Sequence, residues 1–319
     1  QIYAFIETEL NFAQAHLPAS WDPSKFPGRV TSGVANGLLA KVYLMQQKWA
    51  QAMTAANAVV TSGQYDLSTP YSKIFGEDGE NSKESVFEVQ ATATSAIPTA
   101  NGVQYAQIQG VRGSGSWDLG WGWNTPSIYL EAAYEPGDPR KARTIMYTSA
   151  GSTTIYGDPL PSGLPNPRYN HKVYTNPSLR ASIGNRFGYW MNIRLLRYAD
   201  VVLMFAEAAN EVGGEVNITA ARNALNSVRA RARQGAAAGV LPDVTATAQD
   251  ALRAAIWHER RIELAMEHDR FFDLVRWGVA AEVLNASGKP NFSDAKDVLL
   301  PIPQAQRDLN SKLTQNPGY

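Results

Sequence analysis

The 319-residue chain has no cysteine, which excludes disulfides, thiolate catalysis, thiolate-bound zinc and iron–sulfur clusters together. It also lacks net charge, with 29 Lys+Arg against 29 Asp+Glu and no basic run. The electrostatic footprint that a phosphate backbone demands is therefore missing, and nucleic acid is excluded as a partner. Long apolar runs are absent too: the stretch from Val201 to Ala206 falls well short of the roughly 18 residues a membrane-spanning helix needs. What remains is 44% hydrophobic and 18% charged, the composition of a folded globular protein. The length passes the roughly 250–300 residues at which one core stops growing, so two lobes, or one core with a large irregular excursion, are expected. The chain opens at Gln1-Ile2 on what reads as a helix already under way, with no targeting leader ahead of it.

Three zones follow from periodicity. Residues 1–64 carry helical spacing: Ile2, Phe5, Ile6 and Leu10 form one face, and Pro18, Trp21, Pro23, Pro27 and Gly28 break it. Thr31 or Ser32 can cap the next helix. Leu39, Tyr43, Ala52, Ala56 and Val59 then alternate small and large residues as a tetratricopeptide hairpin does, and such a unit needs further hairpins to stack on. These are expected in residues 193–319: one long helix from Ile193 to Val212 stopped by Gly213-Gly214, a return arm from Ala220, and a third helix from Asp250 to about Trp277. Between them, residues 65–192 crowd Gly, Pro, Ser, Asn and aromatics, with strand-like pieces at Ser85–Gln90 and Lys172–Thr175. The predicted fold is mainly α, a scaffold of tetratricopeptide-like hairpins with a loop-rich lobe as the ligand face, all in one unit.

Within that lobe Trp117, Trp121 and Trp123 lie in seven residues, spaced by glycines and followed by Asn124. Indole faces beside amides can stack on the C–H faces of a sugar and orient its hydroxyls, which makes Trp117, Trp121, Trp123, Asn124 and Asn101 the candidate binding residues. Trp117, flanked by Ser and Asp, is the leading surface candidate. Each indole could instead plug a gap in the core. Gly113-Ser114-Gly115 lacks the spacing and leading strand of a nucleotide loop. His258-Glu259 lacks the second imidazole of a zinc peptidase, because Ile262 stands in its place. His16, His171, His258 and His268 share no nucleophile or metal spacing. Glu131, Glu135 and Asp138 offer the carboxylates of a glycosidase only by proximity, and Asp138-Pro139-Arg140 reads better as a locally paired turn. The charges from Glu259 to Arg276 read as structural ion pairs. No catalytic residue, metal site or cofactor is predicted; binding is favoured over catalysis.

Gly28-Arg29-Val30-Thr31, the LLAKVYL run at 38–44, the RYADVVLMFAEAANEVG run at 197–213, the HERRIEL run at 258–264, Phe272-Asp273-Leu274 with Arg276-Trp277, and Gln315-Asn316-Pro317-Gly318-Tyr319 occur in an order that resembles the SusD/RagB family of outer-membrane nutrient-binding lipoproteins. The resemblance spans essentially the whole chain. It implies a non-catalytic protein on the surface of a Gram-negative bacterium that captures oligo- or polysaccharide and passes it to a SusC-like TonB-dependent transporter. Some relatives handle peptides, so a peptide-binding or protein-interaction scaffold of the same complex is the alternative, and a glycoside hydrolase ranks last. It also implies an N-terminal segment, with a lipid anchor as the only membrane attachment, beyond these 319 residues. The family motifs are scaffold signatures, and no ligand contact carries over through them.

Overall fold

The computed structural model describes residues 1–99, 103–149 and 151–319. The chain divides into two compact units, 1–266 and 267–319. The first begins with helices α1 (Ile2–His16), α2 (Ser32–Met45), α3 (Trp49–Val60) and α4 (Tyr71–Ile74), then strand β1 (Ser85–Val89) and helices α5 (Tyr105–Gln109), α6 (Ile128–Glu131) and α7 (Arg140–Thr144). Strands β2 (Ile145–Tyr147) and β3 (Arg168–Asn170), helix α8 (Pro177–Ile183) and strand β4 (Ile193–Arg197) lead into the long helices α9 (Tyr198–Val212), α10 (Glu215–Ala232) and α11 (Gln249–Glu263). Sheets are minimal among the described residues: β1 pairs antiparallel with β4, and β2 with β3.

The helical frame follows from the pattern of small and large residues. Thr31 caps α2 by accepting from the Val34 amide. Ala40, Ala52, Ala56 and Val59 are sealed, so α2 and α3 approach closely and pack on α9. Helix α9 is the centre of the frame, with Val201, Leu203, Met204, Ala206 and Ala208 all buried, and α10 and α11 close over it through Leu225, Val228, Leu252 and Ile256. Residues 1–64 and 193–266 thus share one core. The intervening segment packs as smaller clusters, one around Val111, Leu119, Met146, Tyr169 and Tyr174 and another around Tyr134, Ile145 and Ile262.

Three expected elements differ. Residues 193–197 are not the first turns of α9 but strand β4, with Leu196 against Phe87 and Arg194 against Glu88. The helix from Asp250 ends at Glu263 rather than near Trp277. Its last carbonyl is occupied by side chains: Arg197 Nη2 and Lys172 Nζ each donate to Glu263 O at 3.1 Å, and Met266 follows in the left-handed region at φ 68°. Lys172–Thr175 is not a strand either, because Asn170 Oδ1 accepts from the Lys172 amide at 3.0 Å and turns the chain into a short 3₁₀ helix, His171–Val173.

A buried ionic network ties the loop-rich segment to the frame. The fully buried Glu263 carboxylate meets Arg197 at 3.0 Å, Arg140 at 3.1 Å and Arg231 at 2.5 Å. Burial alone would raise its pKa, but the charges of Arg231, Arg197 and Arg140 overcome this and hold it well below the usual carboxylate range. Arg140 also pairs with Asp138 and Glu259, Arg229 bridges Glu259 and Glu135, and Arg197 reaches Glu84 at 2.7 Å. Beside it, Asp200 pairs with Arg260 at 2.9 Å. Aromatic faces cover the cations: Phe75 lies 4.3 Å from Lys172 Nζ and 5.3 Å from the Arg197 guanidinium. The charged run that begins at Glu259 is structural, as expected.

The second unit holds α12 (Arg270–Arg276), α13 (Ala280–Ala286) and α14 (Gln304–Leu309). Asp273 pairs with Arg276 at 2.8 Å, and Asn285 and Gln315 each clamp a distant backbone by donating to and accepting from one residue, Phe292 and Ile302 respectively.

Replacing Glu263 with Gln leaves three guanidinium groups facing one another without their shared counter-charge. The substitution should cost about 3–5 kcal/mol in urea-unfolding free energy. Lys25→Ala, at the exposed 3.7 Å pair with Asp22, should change it by less than about 0.5 kcal/mol. A pH dependence follows from His171, whose Nδ1–H donates to Ala142 O at 2.7 Å while Nε2 accepts from the Ile155 amide. Burial and the neighbouring Arg143 charge push its pKa down from 6.5 to about 4. The unfolded chain therefore takes up this proton first, so stability should fall as the pH drops from about 6.5 to about 4. Urea midpoints between pH 6.5 and 4.5 should show a shallower slope in His171→Leu, the remainder coming from His258, which burial also depresses, and from carboxylates such as Glu131 and Glu135 that the fold holds below their usual range.

Candidate functional site

The tryptophan loop is built on α5. Trp121 N donates to Gln107 O at 2.9 Å, Gly122 N to Gly110 O at 2.9 Å, and Trp123 N to Ile108 O at 3.1 Å, so the loop lies as an extra strand-like layer on the helix and its exit. Glycine is required at 120 by close approach: a Cβ there would stand 2.0 Å from Gln107 O. The backbone of the segment is thereby fixed before any ligand arrives, which reduces the ordering cost of binding.

Its three indoles divide. Trp117 is half-buried, packs against the Val111, Leu119 and Met146 cluster, and stacks on Tyr174 with centroids 6.0 Å apart and planes 21° apart. Tyr174 is held in turn by the Arg180 guanidinium 4.8 Å over its ring and by its hydroxyl donating to Asp158 Oδ2 at 3.2 Å. Trp121 and Trp123 project outward, 42% and 63% exposed, with centroids 5.6 Å apart and planes tilted by 57°. The order of exposure thus runs opposite to the one read from the flanking residues: polar neighbours made Trp117 the leading surface candidate, but Tyr174 covers it.

Asn124 is exposed, takes φ 53°, and donates from Nδ2 to Gln109 Oε1 at 2.8 Å. The same oxygen accepts from Asn170 Nδ2 at 2.9 Å. The Asn124 Nδ2 bond therefore anchors the end of the ledge. Asn101 lies outside the described residues. Ile128 and Tyr129, exposed at the start of α6, extend the apolar surface in sequence just beyond the ledge.

The three carboxylates near this loop are each committed to their own arginine. Glu131 accepts from Tyr147 Oη at 2.9 Å and from Arg168 Nε at 2.6 Å, and these bonds lower its pKa. Glu135 accepts from both Arg229 terminal nitrogens and is lowered in the same way. Asp138 is buried and closes on Arg140. A glycosidase needs one of its pair protonated, and the partners of Glu131 and Glu135 act in the opposite sense. Among the described residues no group of three or more His, Asp or Glu side chains is placed to hold a metal, and no helix is long and apolar enough to cross a membrane. Sequence reasoning treated the segment from Pro18 to Gly28 only as a helix break; the structure shows that Trp21, Phe26 and Arg29 there wall a second concavity.

Residues 83–319 match the sequence pattern of the SusD family. SusD-like protein P2 of Formosa agariphila is 29% identical, aligned over 100% of this chain and 65% of its own length. A SusD-like protein of Bacteroides ovatus is 26% identical over 86% of this chain and 50% of its own. Among solved structures, a laminarin binding SusD-like protein is 29% identical with a TM-score of 0.80, covering 100% of this chain and 69% of that one. Surface glycan-binding protein A from Bacteroides thetaiotaomicron, in complex with laminarihexaose, is 25% identical with a TM-score of 0.76, covering 99% and 70%. The chain thus spans less than two thirds of the length of the curated relatives it matches. With the family pattern running through three quarters of its residues, this chain belongs to the SusD family.

Proposed function

We propose that the protein is a non-catalytic carbohydrate receptor of the bacterial outer surface, and that Trp121 and Trp123 form its stacking ledge with Asn124 as a hydroxyl partner. The observation that carries this reading is the exposed, mutually tilted indole pair on a backbone pinned to α5. Exposed indoles lose no desolvation energy to a neighbour and present flat faces to the C–H surface of a sugar ring. Trp117 acts beneath the ledge as a support rather than as a contact. Delivery of the captured glycan to a SusC-like TonB-dependent transporter rests on family membership alone. Laminarin oligosaccharides are the first ligands to test, since similar proteins are described as binding them. The protein-interaction reading requires all three indoles to be covered, and two are not.

Calorimetric titration with laminarihexaose should give saturable binding without release of reducing ends. Trp123→Ala should weaken it by about 1–3 kcal/mol, while thermal stability changes by less than about 0.5 kcal/mol. Trp117→Ala should show the converse emphasis, lowering stability by about 3 kcal/mol because it uncovers Tyr174 and leaves a cavity.

A further inference from the structure

A cleft of about 510 Å³ opens in the first unit, between the loop that joins α1 to α2 and the segment leading into β1. Its size suits two to three sugar rings by the usual scale of small-molecule sites, about 300–1,000 Å³. One wall is aromatic: Trp21 and Phe26 meet edge to face with centroids 5.7 Å apart, and Tyr65 also lines the cleft. The loop is closely fitted to its surroundings. Trp21 Nε1 donates to Val30 O at 2.8 Å, and Gly28, at φ 67°, lies so close to Gln90 that a Cβ would sit 2.2 Å from its amide nitrogen.

Arg29 is the unusual member. Its guanidinium carbon lies 4.4 Å from the Trp21 ring centroid and 4.9 Å from that of Phe26, a cation–π contact with both rings. Such contacts use none of its N–H donors, and among the described residues no carboxylate or other acceptor engages them. Lys83, also lining the cleft, donates to Gln64 O at 3.1 Å, and its charge helps to lower the pKa of Asp66. The single carboxylate of the lining, Glu88, accepts from the Asn81 amide and from Asn192 Nδ2 and faces Arg194. The result is a sugar-sized, aromatic-walled cleft in which the Arg29 guanidinium has no acidic partner among the described residues.

We propose that this cleft is a second saccharide site, separate from the tryptophan ledge, and that it takes an acidic sugar whose carboxylate meets the edge of Arg29. A planar guanidinium with its N–H donors free matches a carboxylate through two parallel N–H bonds. Trp21 supplies the face on which the uronate ring rests.

The test is calorimetric titration of the protein with tetramers of galacturonate, mannuronate and guluronate, each paired with its methyl ester, and with laminarihexaose. At least one free acid should bind, its methyl ester should bind at least tenfold more weakly, and 0.5 M salt should weaken the acid alone. Arg29→Gln should reduce acid binding at least tenfold while leaving laminarihexaose binding and the unfolding midpoint unchanged; Trp123→Ala should leave acid binding unchanged. Failure of all three acids to bind, equal binding of acid and ester, or an Arg29→Gln variant that retains full acid affinity would each overturn the proposal.

Discussion

A carboxylate with no access to water, Glu263, is the fixed point on which this structure depends. Three guanidinium groups from three separate parts of the chain, Arg140, Arg197 and Arg231, converge on it. Arg140 starts the short helix before β2, Arg197 ends β4, and Arg231 ends α10, so one anion joins the irregular segment, the small sheet and the helical frame. Such a cluster is a poor source of net stability, since desolvation consumes most of the Coulomb attraction. It is, however, intolerant of misplacement: any arrangement that leaves one of these charges buried and unpaired is heavily disfavoured. The network therefore selects one packing of loops on helices, and apolar contacts alone would not distinguish that packing so sharply. Even the end of α11 is set by it, through the donors that occupy the Glu263 carbonyl.

Once the irregular segment is locked, its surface can carry residues that a core would ordinarily cover. The β3 end and the following 3₁₀ turn hold His171 and Tyr174, Tyr174 holds Trp117, and α5 holds the backbone of Trp121 and Trp123. Only the last two indoles are left facing outward. Rigid aromatic ledges of this kind bind with little loss of conformational freedom, which is the reason to place them on a layer hydrogen-bonded to a helix rather than on a free loop. The cleft at Trp21 follows the same logic with a different chemistry, since there the aromatic rings contact a cation instead of presenting themselves alone.

The helical frame was legible in the sequence wherever a face repeated over several turns, as in α1, α2 and α9 to α11. It was not legible where tertiary contacts decide the outcome. Ile193-Arg194-Leu195-Leu196 satisfies helix and strand patterns equally, and only pairing with β1 makes it a strand. Leu264, Ala265 and Met266 are good helix formers, so nothing local announces the end of α11. The ion pairs were anticipated as a charged helical face, but their partners, Glu84, Asp138, Arg140 and Arg197, lie far away in sequence. The tryptophan loop was visible as a composition, yet the ranking of its members was not: Tyr174, which hides Trp117, is 57 residues distant. Arg29 was seen as part of a family signature and Trp21 as part of a break between helices, while Phe26, the other ring beside the guanidinium, carried no signal of its own.

The division of labour among the tryptophans is most directly tested by ¹⁵N-indole NMR during titration with laminarihexaose. The Nε1–H signals of Trp121 and Trp123 should move together and saturably, while those of Trp117, beneath Tyr174, and Trp190, whose Nε1 donates to Glu77 at 3.0 Å, stay in place. Saturable binding that leaves Trp121 and Trp123 unmoved would contradict the account.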